Sequence, residues 1–147
     1  MGYTITIGEL AVEKNPEDGL DCSCISFDAS GVKHEGAPAF GDPTDFTNSR
    51  WPSYSVWSDF MRDAGLYDVF FDDRGHLIGG HPGVRLVTHE MVERVALALA
   101  GFKATNPGLV PAYGDEIKGG TLCRLIWLDY WLRWSFENCT TPVIANS

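Results

Sequence analysis

Polar and apolar residues alternate from Tyr3 to Val12 and again from Leu20 to Phe27, the period of strands with one buried face. Between them Glu13-Lys14-Asn15-Pro16-Glu17-Asp18-Gly19 is an acidic turn, so the pattern predicts an N-terminal β-hairpin. Periodicity then stops. Gly31, Gly36, Pro38, Gly41, Pro43 and Pro52 interrupt the chain from Ala29 to Pro52, and a loop of that length inside one domain is more often functional or partner-facing than a neutral connector.

A helical period follows. Val56, Trp57, Phe60, Met61 and Ala64 fall on one stripe, with Ser53 as the capping residue and Gly65 as the stop. Leu66 to Phe71 continues as apolar packing before the turn Asp72-Asp73-Arg74-Gly75. Thr88 caps a second predicted helix that runs to Ala100 and stops at Gly101, with Met91, Val92, Val95, Leu99 and Leu97 inward. After a second loop from Asn106 to Gly120, Thr121 to Asn138 forms the third helix. With Leu122, Leu125, Ile126, Trp127, Leu128, Tyr130, Trp131, Leu132, Trp134 and Phe136 it is apolar around nearly its whole circumference. Such a helix is central to its domain or shared with another subunit, and its burial is worth about 15–25 kcal/mol gross at about 1.5–3 kcal/mol per large side chain. Thr141-Pro142-Val143-Ile144 reads as an edge strand or a docked extension. The expected fold is α+β: a small antiparallel sheet, built from the N-terminal hairpin, packed on about three helices with the aromatic-rich C-terminal helix central.

A chain of 147 residues suits a single domain spanning residues 1–147. Twenty acidic against eleven basic side chains give a formal charge of −9, which opposes sequence-independent binding to nucleic acid or to an anionic membrane. No apolar run approaches the roughly 20 residues of a membrane span, and the first residues lack the basic and apolar regions of a signal peptide. A cytoplasmic protein is expected. No pair among the four cysteines, Cys22, Cys24, Cys123 and Cys139, has redox or zinc-ribbon spacing, so reduced thiols are expected, with Cys22 and Cys24 on one strand face.

Chemistry concentrates at two predicted helix entrances. In Asn48-Ser49-Arg50-Trp51-Pro52-Ser53-Tyr54, Arg50 can fork onto phosphate or carboxylate, Ser53 sits where free N–H groups favour anions, and Trp51 and Tyr54 offer stacking faces. The plainer reading makes Ser53 an ordinary cap, packs Trp51 on the core and pairs Arg50 with an acid. His81 and Arg85 lead into the second helix in the same way, and an anion wedged between both entrances would use all of these groups. Arg133 stands between Asp129 and Glu137 at i,i+4 spacing, which is either a half-exposed charge ladder or, if buried, a ligand-positioning cation. His76, His81 and His89 with Asp72, Asp73 and Glu90 are metal-ligand types, but their spacing matches no familiar site. There is no nucleophile elbow, phosphate loop or dinucleotide fingerprint, so neither a cofactor nor turnover is expected.

The segments Ser49-Arg50-Trp51-Pro52-Ser53-Tyr54-Ser55-Val56-Trp57, Gly65-Leu66-Tyr67-Asp68-Val69-Phe70-Phe71, His81-Pro82-Gly83, Arg124-Leu125-Ile126-Trp127-Leu128, Glu137-Asn138-Cys139 and Pro142-Val143 together resemble a group of small accessory proteins of tailed bacteriophages. The resemblance covers about two thirds of the chain and brings no catalytic residue with it. It implies a protein made in the host cytoplasm, in a class whose members bind host factors or sequester nucleotide signals of host immunity. Residue chemistry and resemblance together favour a homo-oligomeric, non-enzymatic protein that captures a small anionic, nucleotide-like ligand with Arg50, Trp51, Ser53, Tyr54, His81, Arg85 and Arg133. The alternatives are an inhibitor that uses its acidic surface against a host protein and, third, a metal-dependent hydrolase built on His76, His81 and Asp73.

Overall fold

The computed structural model describes residues 2–16, 23–39, 45–111 and 117–147. Among them, five strands and four helices form an α+β fold: β1 (Ile5–Pro16), β2 (Ser23–Ala29), β3 (Ser49–Arg50), α1 (Tyr54–Asp63), α2 (Tyr67–Phe70), β4 (Gly83–Leu86), α3 (His89–Thr105), α4 (Ile117–Asn138) and β5 (Pro142–Asn146). The expected hairpin and central aromatic helix are both present. The expected turn begins later than Glu13, because β1 continues to Pro16; Cys22, the side chain of Cys24, residues 17–19 of that turn and residues 112–116 of the second loop lie outside the described residues, while Cys123 and Cys139 are free thiols.

All pairing is antiparallel, in the order β2-β1-β5-β4, with β3 also on β1. Ile5 sits opposite both Arg50 and Asn146, so the first half of β1 is paired on both edges, and its second half pairs with β2 from Leu10 to Pro16. The tail is therefore not an edge strand: β5 lies between β1 and β4. Ile144 joins Ile5 and Ile7 in the main core, whereas Val143 and Ala145 turn to the opposite face and meet Ala29, Leu10 and Val84. This second cluster exists because the sheet curls until β2 touches β5 and β4. Both faces of β5 are thus buried, which is why its sequence shows a continuous apolar run where an alternating pattern was sought.

α4 lies in the main core, where Leu125, Trp127, Leu128, Trp131 and Leu132 are fully buried together with Trp57 of α1 and Phe70 of α2. Its burial is supplied within one chain, by α3 and the sheet. Ser53 takes the cap position of α1 without a side-chain cap bond, whereas the Thr88 hydroxyl accepts from the Met91 N–H at 3.2 Å as expected for α3. Gly101 does not end α3, which continues to Thr105. An exposed glycine weakens a helix by only about 1 kcal/mol, and Asn106, whose N–H reaches the Phe102 carbonyl, is the actual stop. Leu97 is not inward but 70% exposed.

The long segment after Ala29 is tied down more than its composition suggests. The Trp127 indole donates to the Thr47 carbonyl at 3.0 Å, the His34 ring packs on Trp131 and Trp134, and Ala37 is buried. Asn48 fixes it to the sheet. Its Nδ2 donates to the Ile7 and Ser30 carbonyls, both at 2.8 Å, and its Oδ1 accepts from the Val32 N–H at 2.7 Å, so one fully buried amide bridges β1 and the segment that leaves β2. A Cβ at Gly8 would sit 2.9 Å from both Asn48 Nδ2 and the Ser30 carbonyl oxygen, which explains glycine there.

Two predictions follow from these ties. Asn48→Ala removes the side-chain partner of three backbone groups, of which the Ile7 carbonyl is buried, and should lower unfolding free energy by about 2 kcal/mol in urea titrations with an unchanged m-value; Gly8→Ala should act in the same direction. The Glu9 carboxylate accepts the Thr141 and Thr140 N–H groups at 2.6 and 3.0 Å, which holds its pKa below the ordinary 4.5. Because the folded value is the lower one, its contribution is complete above pH 4.5 and is lost as the pH falls through the depressed value. Glu9→Gln should therefore flatten the acid limb of stability against pH.

Candidate functional site

The residues proposed from sequence fall in five separate places. Arg50 of β3 points to the helix face, is 8% exposed, and lies 5.6 Å over the Trp127 ring. Burial lowers its pKa to about 9, with the Cys123 thiol opposing that shift and Arg124 adding to it. It is a core residue. Trp51, next in the chain, points outward and is 56% exposed beside a shallow depression formed by Lys33 and Thr47. Arg85 donates to the Val69 carbonyl at 3.2 Å in another depression, which also holds Asp68 and Glu90. Arg133 is exposed, and its Nη2 donates to both carboxylate oxygens of Asp129 at 2.7 and 2.8 Å, the i,i+4 pairing of a surface charge ladder. The two arginine-bearing turns do not build one anion pocket: their guanidiniums are drawn to a buried indole in one case and a helix-end carbonyl in the other.

Tyr54 and His81 do meet. Extended pairing of Gly2 with Ser53, and the Tyr3 N–H bonded to the Pro52 carbonyl at 2.8 Å, set Tyr3 beside the start of α1. The Tyr3 ring lies 4.4 Å from Tyr54 and 6.3 Å from His81, with Tyr3 and His81 stacked within 29° and His81 edge-on to Tyr54 at 6.2 Å. These rings wall a cavity of about 180 Å³ whose other side is the loop from Gly75 to Gly80, with Asn146 also lining it.

That loop is rigidly specified. Buried Ile78 has φ 56°, a left-handed conformation rare for a β-branched residue, and is held there by its N–H bond to the Phe70 carbonyl at 2.8 Å. A Cβ at Gly83 would lie 2.6 Å from the Ile78 carbonyl oxygen and 2.7 Å from that of Gly80, so the loop closes only onto a glycine. Asn146 completes the closure from β5 by donating to the Gly80 carbonyl at 2.9 Å and the Leu77 carbonyl at 3.4 Å.

Tyr3 and Asn146 were missed from sequence. Each belongs to a terminal strand, and only the register Asn146–Ile5–Arg50 brings the two ends of the chain to the entrance of α1. Burial, with help from Tyr54 and Tyr67, raises the Tyr3 pKa above 10.0, so the phenol is neutral at physiological pH. The cavity lining contains rings, amide and backbone, with no carboxylate, thiol, aliphatic hydroxyl or guanidinium among the described residues. His76 is turned to Asp72 at 3.7 Å and His89 to Glu93 at 3.3 Å, and no three metal-ligating side chains converge among the described residues. Among the described residues no helix is long and apolar enough to cross a membrane.

Comparisons with protein-family models, with curated proteins and with solved structures find no match to this chain. The arginine placements predict distinct outcomes. Arg50→Ala should lower stability by about 2 kcal/mol through lost packing on Trp127, whereas Arg85→Ala and Arg133→Ala should stay within about 0.5 kcal/mol in thermal or urea unfolding.

Proposed function

We propose that this protein binds a small ligand of the nucleotide class without turning it over, holding the ring end of that ligand against Tyr3, Tyr54 and His81. The carrying observation is the enclosure of one cavity by three aromatic rings from three separate segments of the chain. Tyr3 and Tyr54 touch each other at 4.4 Å, so a flat ring stacks on the cavity side of the cluster and not between its members, and base-on-aromatic stacking contributes about 1–3 kcal/mol per base. At about 180 Å³ the space lies below the roughly 300–1,000 Å³ of sites that enclose a drug-sized ligand, so one ring enters and the remainder stays outside. Among the described residues the lining carries phenols and imidazoles but no carboxylate, thiol or aliphatic hydroxyl. In the infected-cell setting that the phage resemblance implies, such capture would remove a host signal from circulation.

The runner-up reading, an inhibitor docking on a host protein, draws support from the β1–β2 ribbon. There Val12 and Phe27 pair across the strands and are 52% and 49% exposed, with Ile25 beside them at 49%. Such a cluster on a chain of net charge −9 suits a partner with an apolar centre and a basic rim.

Calorimetric titration with ADP-ribose and with cyclic dinucleotides tests the capture reading. A saturable heat is expected, weakened by about 1–3 kcal/mol in Tyr54→Ala and unaffected by Arg85→Ala or Arg133→Ala. The absence of heat and of thermal shift at millimolar ligand would remove it.

A further inference from the structure

Beyond Glu9, where pairing with β5 stops, β1 is paired with β2 alone among the described residues, and the two strands run on as a ribbon from Leu10 and Ala29 to Pro16 and Ser23. A two-stranded ribbon is marginally stable in water, and a third strand or a cover is what completes it. Its hydrogen-bond phase follows from one contact. The Ser30 N–H donates to the Glu9 carbonyl at 2.9 Å, which makes these two a hydrogen-bonded pair. Bonded and non-bonded pairs alternate, so Asp28 and Ser26 exchange bonds with β1 while Phe27 and Ile25 turn their N–H and C=O groups away from it. Ala29 has the same phase, but its N–H is taken by Asp28 Oδ1 at 2.8 Å. Among the described residues no strand lies on this outer edge, since β2 ends the sheet order.

The side chains single out the same two residues. Ile25 and Phe27 share an exposed face with Val12, and that face continues inward as the buried cluster of Ala29, Val143 and Ala145, so the patch is the uncovered end of an existing core. Natural proteins guard a free edge with Lys, Pro, a bulge or a short strand; β2 is seven residues long, in unbroken register, and has none of these. Charge sets the chemistry of what covers it. Between Leu10 and Ala29 the sequence places Glu13, Glu17, Asp18, Asp21 and Asp28 against Lys14 alone, in a chain of net charge −9, which opposes a second copy and attracts a basic partner. Resting on the reading of this ribbon as a protein-docking face, we infer that the outer edge of β2 takes an extended basic segment of the partner as an added strand. Its backbone pairs with Ile25 and Phe27, its apolar residues lie on the face of Val12 and Phe27, and its alternate Lys or Arg residues lie on the face of Asp28.

NMR titration of the intact, isotope-labelled protein tests this with a short acetylated and amidated peptide that alternates Lys and Val. Two further forms carry N-methyl groups on the valines or on the lysines, and only one of those two sets of amides can face β2. The expected result is that the parent peptide shifts the Ile25 and Phe27 amides and slows their hydrogen exchange, that one N-methylated form binds about tenfold or more weakly while the other keeps its affinity, and that Glu in place of Lys costs about tenfold or more. Should both N-methylated forms match the parent while still moving the Val12 and Phe27 side-chain signals, strand addition is overturned and the docking face stands. Equal binding of the Glu and Lys peptides overturns the basic partner. Should none of the peptides move Val12, Ile25 or Phe27 at millimolar concentration, the docking reading fails with the proposal. Concentration-dependent protection of the same amides in the protein alone would make a second copy the occupant and overturn it as well.

Discussion

The fold depends on five residues of β1, Ile5 to Glu9, being satisfied on both edges and on the face that meets the helices. β5 pairs one edge, β3 and the Asn48 amide occupy the other, and Ile5 and Ile7 enter the core against α4. A strand in that position cannot shift by one residue, because the slip would carry Ile5 and Ile7 out of the core and Thr6 and Gly8 into it. Everything near the aromatic cavity inherits this register. Tyr3 precedes the double pairing, Asn146 sits opposite Ile5, and the entrance of α1 follows directly from β3. The site is therefore assembled by non-local pairing between the two termini and a middle segment, and its precision comes from the sheet although its lining is partly loop.

This origin explains what could be read in advance. Amphipathic stripes are local, so Trp57, Phe60 and Met61 on α1, the Thr88 cap of α3 and the aromatic mass of α4 were legible, as was the hairpin from its alternation. Strands whose burial differs from simple alternation were not. β5 is buried on both faces and reads in sequence as an edge strand or a docked extension, and Gly83–Leu86 is short, opens with glycine and reads as a connector, yet it is the strand that extends the sheet beyond β5. Of the candidate ligand residues, Tyr54 and His81 were found through their helix-entrance and loop positions. Tyr3 and Asn146 carry no local signal because their importance is created by register alone.

The arginines show why charge type is a poorer guide than placement. A guanidinium beside aromatic residues in sequence invites an anion-binding interpretation, but the same side chain also has a long apolar stem and a flat cation that pack well on an indole. Arg50 takes the second role. It faces inward because it shares a sheet row with Ile5, and strand alternation sends Trp51 the other way. Arg133 finds Asp129 one helical turn away, a partner that needs no tertiary structure at all. With each cation held locally, the space beside Tyr3, Tyr54 and His81 is lined among the described residues by rings, backbone and the Asn146 amide.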